Sequence, residues 1–141
     1  MAEDTNHRSV RLTRASAGRF TVSNVRGGQL TTGTGDCADF TPVELLLAAI
    51  GACTGVDVDV VTSRRAEPTE FTVEAGADKV RDDQGSRLTG IEVTFRVAFP
   101  PDGRGPEAQA LVPGLVQASH DRLCTVGRTV EAGTPITPRI L

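Results

Sequence analysis

The stretch TPVELLLAAIGACTGVDVDVV, residues 41–61, reads as one long helix and largely decides the fold of the chain. Its start is fully specified, because Thr41 suits the N-cap, Pro42 suits the first helical position and Glu44 completes a capping box. Residues 45–50 contain no polar side chain, which predicts a central helix that is buried on nearly all sides.

Short segments with the pattern of β-strands lie before this helix. VRLTR, RFTVSNV and QLTT follow one another within residues 10–33, and glycines separate them at positions that suit hairpin turns. We predict a three-stranded meander, followed by a polar loop of sequence GTGDCAD that leads into the helix.

Longer strands and further helices follow the central helix. TEFTVEAGADKV and RLTGIEVTFRVAF alternate apolar and polar residues around a DDQGS turn, which predicts one long hairpin. GPEAQALVPGLVQASHDRLC predicts a second helix that Pro113 and Gly114 are able to kink or split, and residues 124–132 suit a third helical turn. The end, TPITPRIL, is an edge strand at best, because its two prolines cannot donate to a ladder. This order of elements predicts the α+β class.

Length and composition limit the possible functions. A chain of 141 residues fits one domain, residues 1–141, of which about residues 1–8 are expected to be flexible. So small a chain cannot cover a helix that is apolar all round, so we expect a homodimer.

The net charge is -3 and the arginines are dispersed, so nucleic acid is not an expected partner. We expect no apolar run to span a bilayer, and the charged start MAEDTNHRS is no secretory signal, which predicts a cytoplasmic protein without a membrane partner.

Three cysteines and two histidines bound the chemistry of the chain. The cysteines are odd in number and form no CxxC, and no close pair of ligands marks a metal site, so we expect neither a disulfide scaffold nor a bound metal. Cys53 lies between Gly51 and Gly55, and is either a packed small residue or a thiol to which the glycines give access. Cys124 is either a core residue or a second reactive thiol, whereas Cys37 in the acidic loop is predicted to be a bystander.

The run PVELLLAAIGACTGVDVDVV, together with ASHDRLCTVGRTV, resembles the osmotically inducible protein C and organic hydroperoxide resistance (OsmC/Ohr) family. It is most similar to a less characterised OsmC-like branch whose helix reads roughly P-x-E-L-L-L, then G-x-C, then D-V. The resemblance covers almost all of the chain. It implies an OsmC-like fold, with antiparallel strands around a long central helix, and an intertwined homodimer with two active sites at its interface.

The resemblance also assigns roles to two of the thiols. It implies that Cys53 attacks an organic hydroperoxide and becomes a sulfenic acid, which Cys124 then resolves as a disulfide. A dithiol reductant, either a lipoyl protein or a small thiol, would reset the pair. We expect no cofactor.

In the well-studied peroxidases of this family, a carboxylate and an arginine hold the thiolate. Their acidic residue directly follows the proline at the helix start, but this chain has Val43 there and carries its acid one place later, at Glu44. Glu44 is nine residues from Cys53, which is about 900° around an ideal helix and puts the two on opposite faces. Glu44 therefore stays a catalytic candidate, but a capping role is favoured.

The arginine that would hold the thiolate has several candidates. Arg14 and Arg19 lie in the meander, where the family places its arginine, and Arg26 is a weaker candidate. Each has an alternative interpretation as a solvated residue of the meander. Asp57 lies one turn after Cys53, so its charge would share the face of the thiol and disfavour the thiolate.

Three functions stay open. The first is a thiol-dependent peroxidase that reduces organic hydroperoxides in oxidative-stress defence. The second is a non-catalytic OsmC-like dimer that binds a small molecule or senses redox state, with Cys53 merely packed. The third is a Cys–His hydrolase that pairs Cys53 with His120, but Asp121 is a poor orienting group because adjacent residues on a helix point apart. A zinc site from Cys37, Cys124 and His120 is disfavoured by the spacing of these residues.

Overall fold

The computed structural model describes residues 6–141, which fall into two compact units. The first unit extends to Leu46, and the second is Leu47–Leu141. About residues 1–8 are expected to be flexible. Of these, residues 1–5 lie outside the part of the chain that the structure describes. The assignment of one domain to the whole chain stays a prediction.

The first unit contains the predicted meander. Strands β1 (Arg11–Ser16), β2 (Arg19–Ser23) and β3 (Gln29–Thr32) form an antiparallel sheet in the order β1-β2-β3. Gly18, at the β1–β2 turn, has a φ of 72°, a value that glycine adopts without the strain other residues would meet. The prediction of a three-stranded meander is confirmed.

Helix α1 (Pro42–Thr62) begins with the predicted capping box. The backbone N–H of Thr41 donates to Glu44 Oε1 over 2.8 Å, and the backbone N–H of Glu44 donates to Thr41 Oγ1 over 3.2 Å. These two bonds satisfy amides that the first turn of a helix leaves without partners. The predicted start and length of this helix are confirmed.

The burial of α1 differs from the prediction. One stripe is buried, made up of Ile50, Gly51, Thr54, Gly55, Val58 and Thr62. Gly51 and Gly55 lie against Val73, so their lack of a side chain allows a close approach of helix and strand. On another stripe Val56 and Val60 are 59% and 49% exposed, so burial on nearly all sides is wrong for the single chain. Apolar composition marks a residue for burial, but it does not say whether its own chain provides the cover.

Helix α1 also corrects the expectation about membrane spans. It has 21 residues and a mean hydropathy of 1.7, so by length and composition it is able to cross a bilayer. Both measures are met equally by core helices of soluble proteins, and 33% of the apolar window is buried within the structure.

The second unit is built on one long hairpin. Strands β4 (Glu70–Asp82) and β5 (Gly85–Ala98) pair antiparallel along their length, with a register shift between Gly76 and Asp78. Alternate residues of β4 are half-buried and exposed, as the period of two in the sequence predicts. The prediction of a long hairpin is confirmed.

Two helices joined by a π-helical turn complete the second unit. Helix α2 (Gly105–Ala118) continues through Pro113 without a split, the turn comprises Ser119–Leu123, and α3 comprises Thr125–Glu131. The second helix therefore ends earlier than predicted, and the third is confirmed. Residues 134–141, all of them described, form no strand, which corrects the edge strand allowed for TPITPRIL. Overall the strands and helices confirm the α+β class.

Candidate active site

Two of the three cysteines meet in the second unit. Cys53 lies half-buried on α1, and Cys124, which is only 3% exposed, follows the π-turn. The Cys53 thiol lies close enough to the Cys124 thiol and the backbone N–H of Val126 to interact with both, and both cysteines are free thiols. The structure therefore brings together the two residues to which the resemblance assigns a redox pair.

Local backbone geometry fixes the position of Cys124. Its N–H donates to the carbonyl of Ser119 over 2.8 Å, the bond that closes the π-turn. Its sulfur accepts the backbone N–H of Gly127 over 3.2 Å and so caps the start of α3. A side chain on residue 127 would crowd this sulfur, which explains the glycine there.

The surroundings of Cys53 favour the thiol over the thiolate. Burial is the largest cause that raises the pKa of Cys53 above its ordinary value of 9.0, and Cys124 and the charge of Asp57 raise it further. The N–H of Val126 acts in the opposite direction but does not cancel them. The predicted unfavourable effect of Asp57 is confirmed, and Cys53 is mostly protonated at neutral pH.

A buried polar cluster lies beside the two thiols. The Ser119 hydroxyl is fully buried and lies 2.7 Å from Asp57 Oδ2 and 3.1 Å from Thr54 Oγ1. Thr54 follows Cys53 directly, and Asp57 is one turn further along α1. Sequence reasoning gave no role to Ser119 or to Thr54. A serine in the helical run before Cys124 was the available signal, because a buried hydroxyl needs a partner.

An apolar cavity of about 630 Å³ adjoins this cluster. Its lining is mainly aliphatic, drawn from α1, β5, α2 and α3, and includes Ile50, Leu88, Ile91, Val93, Phe95, Val116 and Val130. Cys124 and His120 also line the cavity, together with Gln117 and Glu131. Thr54 and Ile50 place the cavity beside the turn of α1 that carries Cys53. The space suits a small molecule with an apolar body.

His120 corrects one expectation. Its Nδ1 lies 3.0 Å from Asp121 Oδ1, although adjacent helical side chains were expected to point apart. Both side chains are more than half exposed on the π-turn, so each is free to fold toward the other. The Nε2 lies 3.0 Å from Glu131 Oε1. Asp121 first and Glu131 second raise the pKa of His120, and with both ring nitrogens engaged the imidazole has none left to act as a base for Cys53.

The remaining predicted site residues lie in the first unit and have local partners there. Arg19 Nη2 lies 2.6 Å from Asp39 Oδ2, and this ion pair lowers the pKa of Asp39. The Thr41 amide that bonds to Glu44 lowers the pKa of that carboxyl. Glu44 is thus confirmed as a cap, whereas its role at Cys53 and those of Arg14 and Arg19 stay predictions.

The other candidates at the meander and in the polar loop are also placed. Arg14 lies on β1 opposite Phe20, and the backbone N–H of Arg26 donates to the Asn24 side chain in the β2–β3 turn. Cys37 is exposed, with its sulfur 3.5 Å from Asp39 Oδ2. Within residues 6–141, no group of three or more His, Cys, Asp or Glu side chains is arranged to hold a metal ion.

The chain is thus a small α+β protein in which a free thiol on a long apolar helix lies near a second free thiol that follows a π-turn. A family model described as OsmC-like protein matches residues 33–139, so the chain belongs to the OsmC-like protein family. The resemblance seen in the sequence is thereby confirmed.

Relatives and solved structures agree with this assignment. An uncharacterized protein of Mycobacterium tuberculosis (strain ATCC 25618 / H37Rv) is 28% identical over 130 residues, covering 91% of this chain and 92% of that protein. A hypothetical protein from Aquifex aeolicus VF5 has a TM-score of 0.71 at 22% identity, covering 92% of this chain and 91% of the other. An organic hydroperoxide resistance protein OsmC from Legionella pneumophila has a TM-score of 0.59 at 15% identity, covering 91% of both chains. These structures share the fold of this protein.

Proposed function

We propose that this protein is a thiol-dependent peroxidase that reduces organic hydroperoxides in oxidative-stress defence. The observation that carries the proposal is the proximity of the free thiols of Cys53 and Cys124, which are close enough to interact. Membership of the OsmC-like family, which implies a redox or peroxide-stress role, supports it. So does the name of the Legionella structure, an organic hydroperoxide resistance protein.

Cys53 is the thiol that attacks the peroxide in this proposal. It is partly accessible, whereas Cys124 is almost fully buried and its sulfur is engaged by the Gly127 amide. The adjoining apolar cavity favours a peroxide with a hydrocarbon group over hydrogen peroxide, because burial of that group is favourable. Cys37 is exposed in the polar loop and takes no part.

The chemical steps balance with one dithiol per peroxide. The Cys53 thiolate forms a bond to a peroxide oxygen as the O–O bond breaks, and the departing alkoxide takes a proton and leaves as the alcohol. The Cys124 sulfur then attacks the sulfenic sulfur of Cys53, so that a disulfide forms and water leaves with the proton of the Cys124 thiol. A dithiol reductant, on a lipoyl protein or as a small thiol, is oxidised to its disulfide as the two cysteines regain their protons.

The raised pKa of Cys53 limits the first step at neutral pH, since the thiolate is the attacking species. A nearby cation would reverse this effect, and Arg14 and Arg19 are the candidates that the family resemblance provides. Glu44 would act through such an arginine. We therefore expect turnover to rise with pH until Cys53 is ionised.

The protein acts in this proposal as a cytoplasmic homodimer without a cofactor. Ala52, Val56 and Val60 are exposed and recur at intervals of four along α1, which makes one apolar stripe. A second copy of the same helix is the natural cover for such a stripe, because a twofold axis places identical surfaces together.

A second function has an observation in its favour. The raised pKa of Cys53 and the cavity together suit an OsmC-like dimer that binds a small apolar molecule or senses redox state without turnover. In that case Cys53 serves mainly as a packed residue of α1.

Thiol counting with a chromogenic disulfide separates the two functions. One equivalent of cumene hydroperoxide should rapidly remove two thiols per chain under denaturing readout, and peptide mapping should link Cys53 to Cys124. Cys53→Ser should abolish peroxide consumption, and Cys124→Ser should allow a single oxidation followed by over-oxidation. Cys37→Ser is the matched control and should behave as wild type.

Three results would contradict the peroxidase: unchanged thiol content, consumption that survives Cys53→Ser, or a disulfide that contains Cys37. An unchanged thiol content, together with saturable binding of cumyl alcohol, would support the second function instead.

A further inference from the structure

Ser119 connects the two segments that carry the paired thiols. Its carbonyl accepts the backbone N–H of Cys124 over 2.8 Å, and its hydroxyl lies 2.7 Å from Asp57 Oδ2. Asp57 is one helical turn from Cys53, and Thr54, which lies 3.1 Å from the same hydroxyl, is the next residue after it. One buried residue thus holds Cys124 through its backbone and the helix of Cys53 through its side chain.

The chemistry of these contacts makes them strong and specific. A hydroxyl that donates to a carboxylate forms one of the stronger hydrogen bonds in proteins, and the 2.7 Å separation is typical of such a bond. Ser119 is 0% exposed, so Asp57 and Thr54 rather than bulk solvent satisfy its hydroxyl. The loss of this hydroxyl would leave the buried side of the cluster unpaired and free the π-turn to shift relative to α1.

Disulfide formation makes a narrow geometric demand on the two segments. The sulfurs must come to about 2.05 Å, with a torsion near 90°, and small displacements of either backbone weaken the bond. A tether that fixes the π-turn to α1 therefore raises the effective concentration of one thiol at the other.

We propose that Ser119, held by Asp57 and Thr54, is a positioning residue that keeps Cys124 in register with Cys53 for disulfide formation. The proposal rests on the proposed thiol chemistry of this pair, because it concerns the resolving step. In this proposal Asp57 helps to position Cys124 by accepting the Ser119 hydroxyl, although its charge disfavours the Cys53 thiolate.

The test measures the Cys53–Cys124 disulfide equilibrium in glutathione redox buffers, with full-length protein and no peroxide. Ser119→Ala should lower the equilibrium constant for disulfide formation about tenfold, because a π-turn that is free to shift lowers the effective concentration of one thiol at the other. Ser63→Ala is the matched control, since that exposed hydroxyl lies just after α1 and donates to the carbonyl of Val60, away from the thiols, and it should leave the constant unchanged.

Asp57 variants keep the test decisive if Ser119→Ala does not fold. Asp57→Ala removes the acceptor at a partly exposed position and should lower the constant as Ser119→Ala does. Asp57→Asn keeps an oxygen that accepts from Ser119, so it should restore the wild-type constant while moving the pH profile of Cys53 alkylation to lower pH. Recovery of the constant in Asp57→Asn, but not in Asp57→Ala, would show that the acceptor oxygen and not the charge of Asp57 sets the disulfide equilibrium.

The outcomes also separate this proposal from the peroxidase. Equal constants for wild type, Ser119→Ala and Asp57→Ala would overturn the tether, even if peroxide consumption is normal. A tenfold fall in the constant supports the tether even if no peroxide is consumed. Failure of Cys53 and Cys124 to form a disulfide in any redox buffer would overturn the tether directly.

Discussion

His120 and Glu131 join the two ends of the segment that carries Cys124. The His120 Nε2 lies 3.0 Å from Glu131 Oε1, so an imidazole in the π-turn is held by a carboxylate at the end of α3. Asp121 engages the other ring nitrogen. The segment between His120 and Glu131 contains the Cys124 sulfur, which in our proposal resolves the sulfenic acid of Cys53.

This bridge predicts a pH dependence of stability. The pKa of His120 is raised above its ordinary value of 6.5, so its stabilising effect is fully present below that value and is lost as pH rises through the folded-state pKa. His120→Gln should therefore lower the melting temperature more at about pH 6 than at about pH 9. His7→Gln serves as the control. A pH-independent difference for His120→Gln would contradict the bridge.

The pH profile of Cys53 alkylation gives a second prediction. Burial, Cys124 and Asp57 raise the pKa of this thiol, so the iodoacetamide rate at Cys53 should keep rising above pH 9. Peptide mapping assigns the rate to Cys53, with the exposed Cys37 as an internal reference. A plateau below neutral pH would instead reveal a cation that activates the thiol, and Arg14→Ala or Arg19→Ala would then identify it.

The capping box predicts a ranking of three variants. Glu44→Gln should change thermal stability little, because Gln also accepts the Thr41 amide, and peroxide turnover should stay within a few-fold. Glu44→Ala should be less stable than Glu44→Gln, and Thr41→Ala should cost about 1 kcal/mol. A large loss of turnover in Glu44→Gln at unchanged stability would mean that Glu44 is catalytic.

Gly105 at the start of α2 predicts a strong effect on stability. A methyl group there would overlap the backbone carbonyl of Pro100, which cannot move aside as a flexible side chain would. Gly105→Ala should therefore cost about 1–3 kcal/mol in urea unfolding. Gly114→Ala, in the same helix with open space around it, should stabilise by up to about 1 kcal/mol. Equal effects of the two variants would contradict the packing at Gly105.

The exposed stripe on α1 predicts the oligomeric state. Light scattering of wild type at micromolar concentration should give a dimer, and Val60→Asp should shift it toward monomer, because a buried unpaired charge opposes association. Val25→Asp places the same change on a turn of the meander and should leave the dimer intact. A stable wild-type monomer would rule out the proposed assembly.

Local signals made most of the fold predictable from sequence. The capping box of Thr41 and Glu44 and the alternation in β4 and β5 depend on residues close together in the chain, and both appear as expected. The contact of Ser119 with Asp57 joins residues 62 positions apart, and no local pattern encodes it. The exposed stripe of α1 was misjudged because composition alone does not distinguish a core face from an interface face.

The π-turn also makes the number of residues before Cys124 a functional quantity. Such a turn holds one residue more than an ordinary α-helical turn, and here the extra residue lies between Ser119 and Cys124. Deletion of one residue within the turn would let the helix close with the same amide on the Ser119 carbonyl and would leave Cys124 near its place, whereas insertion of one residue would rotate Cys124 by about 100° around the helix axis. Substitutions at the exposed Asp121 or Arg122 leave that count unchanged. The pairing of the two thiols is therefore more sensitive to an insertion in this segment than to a change of an exposed side chain.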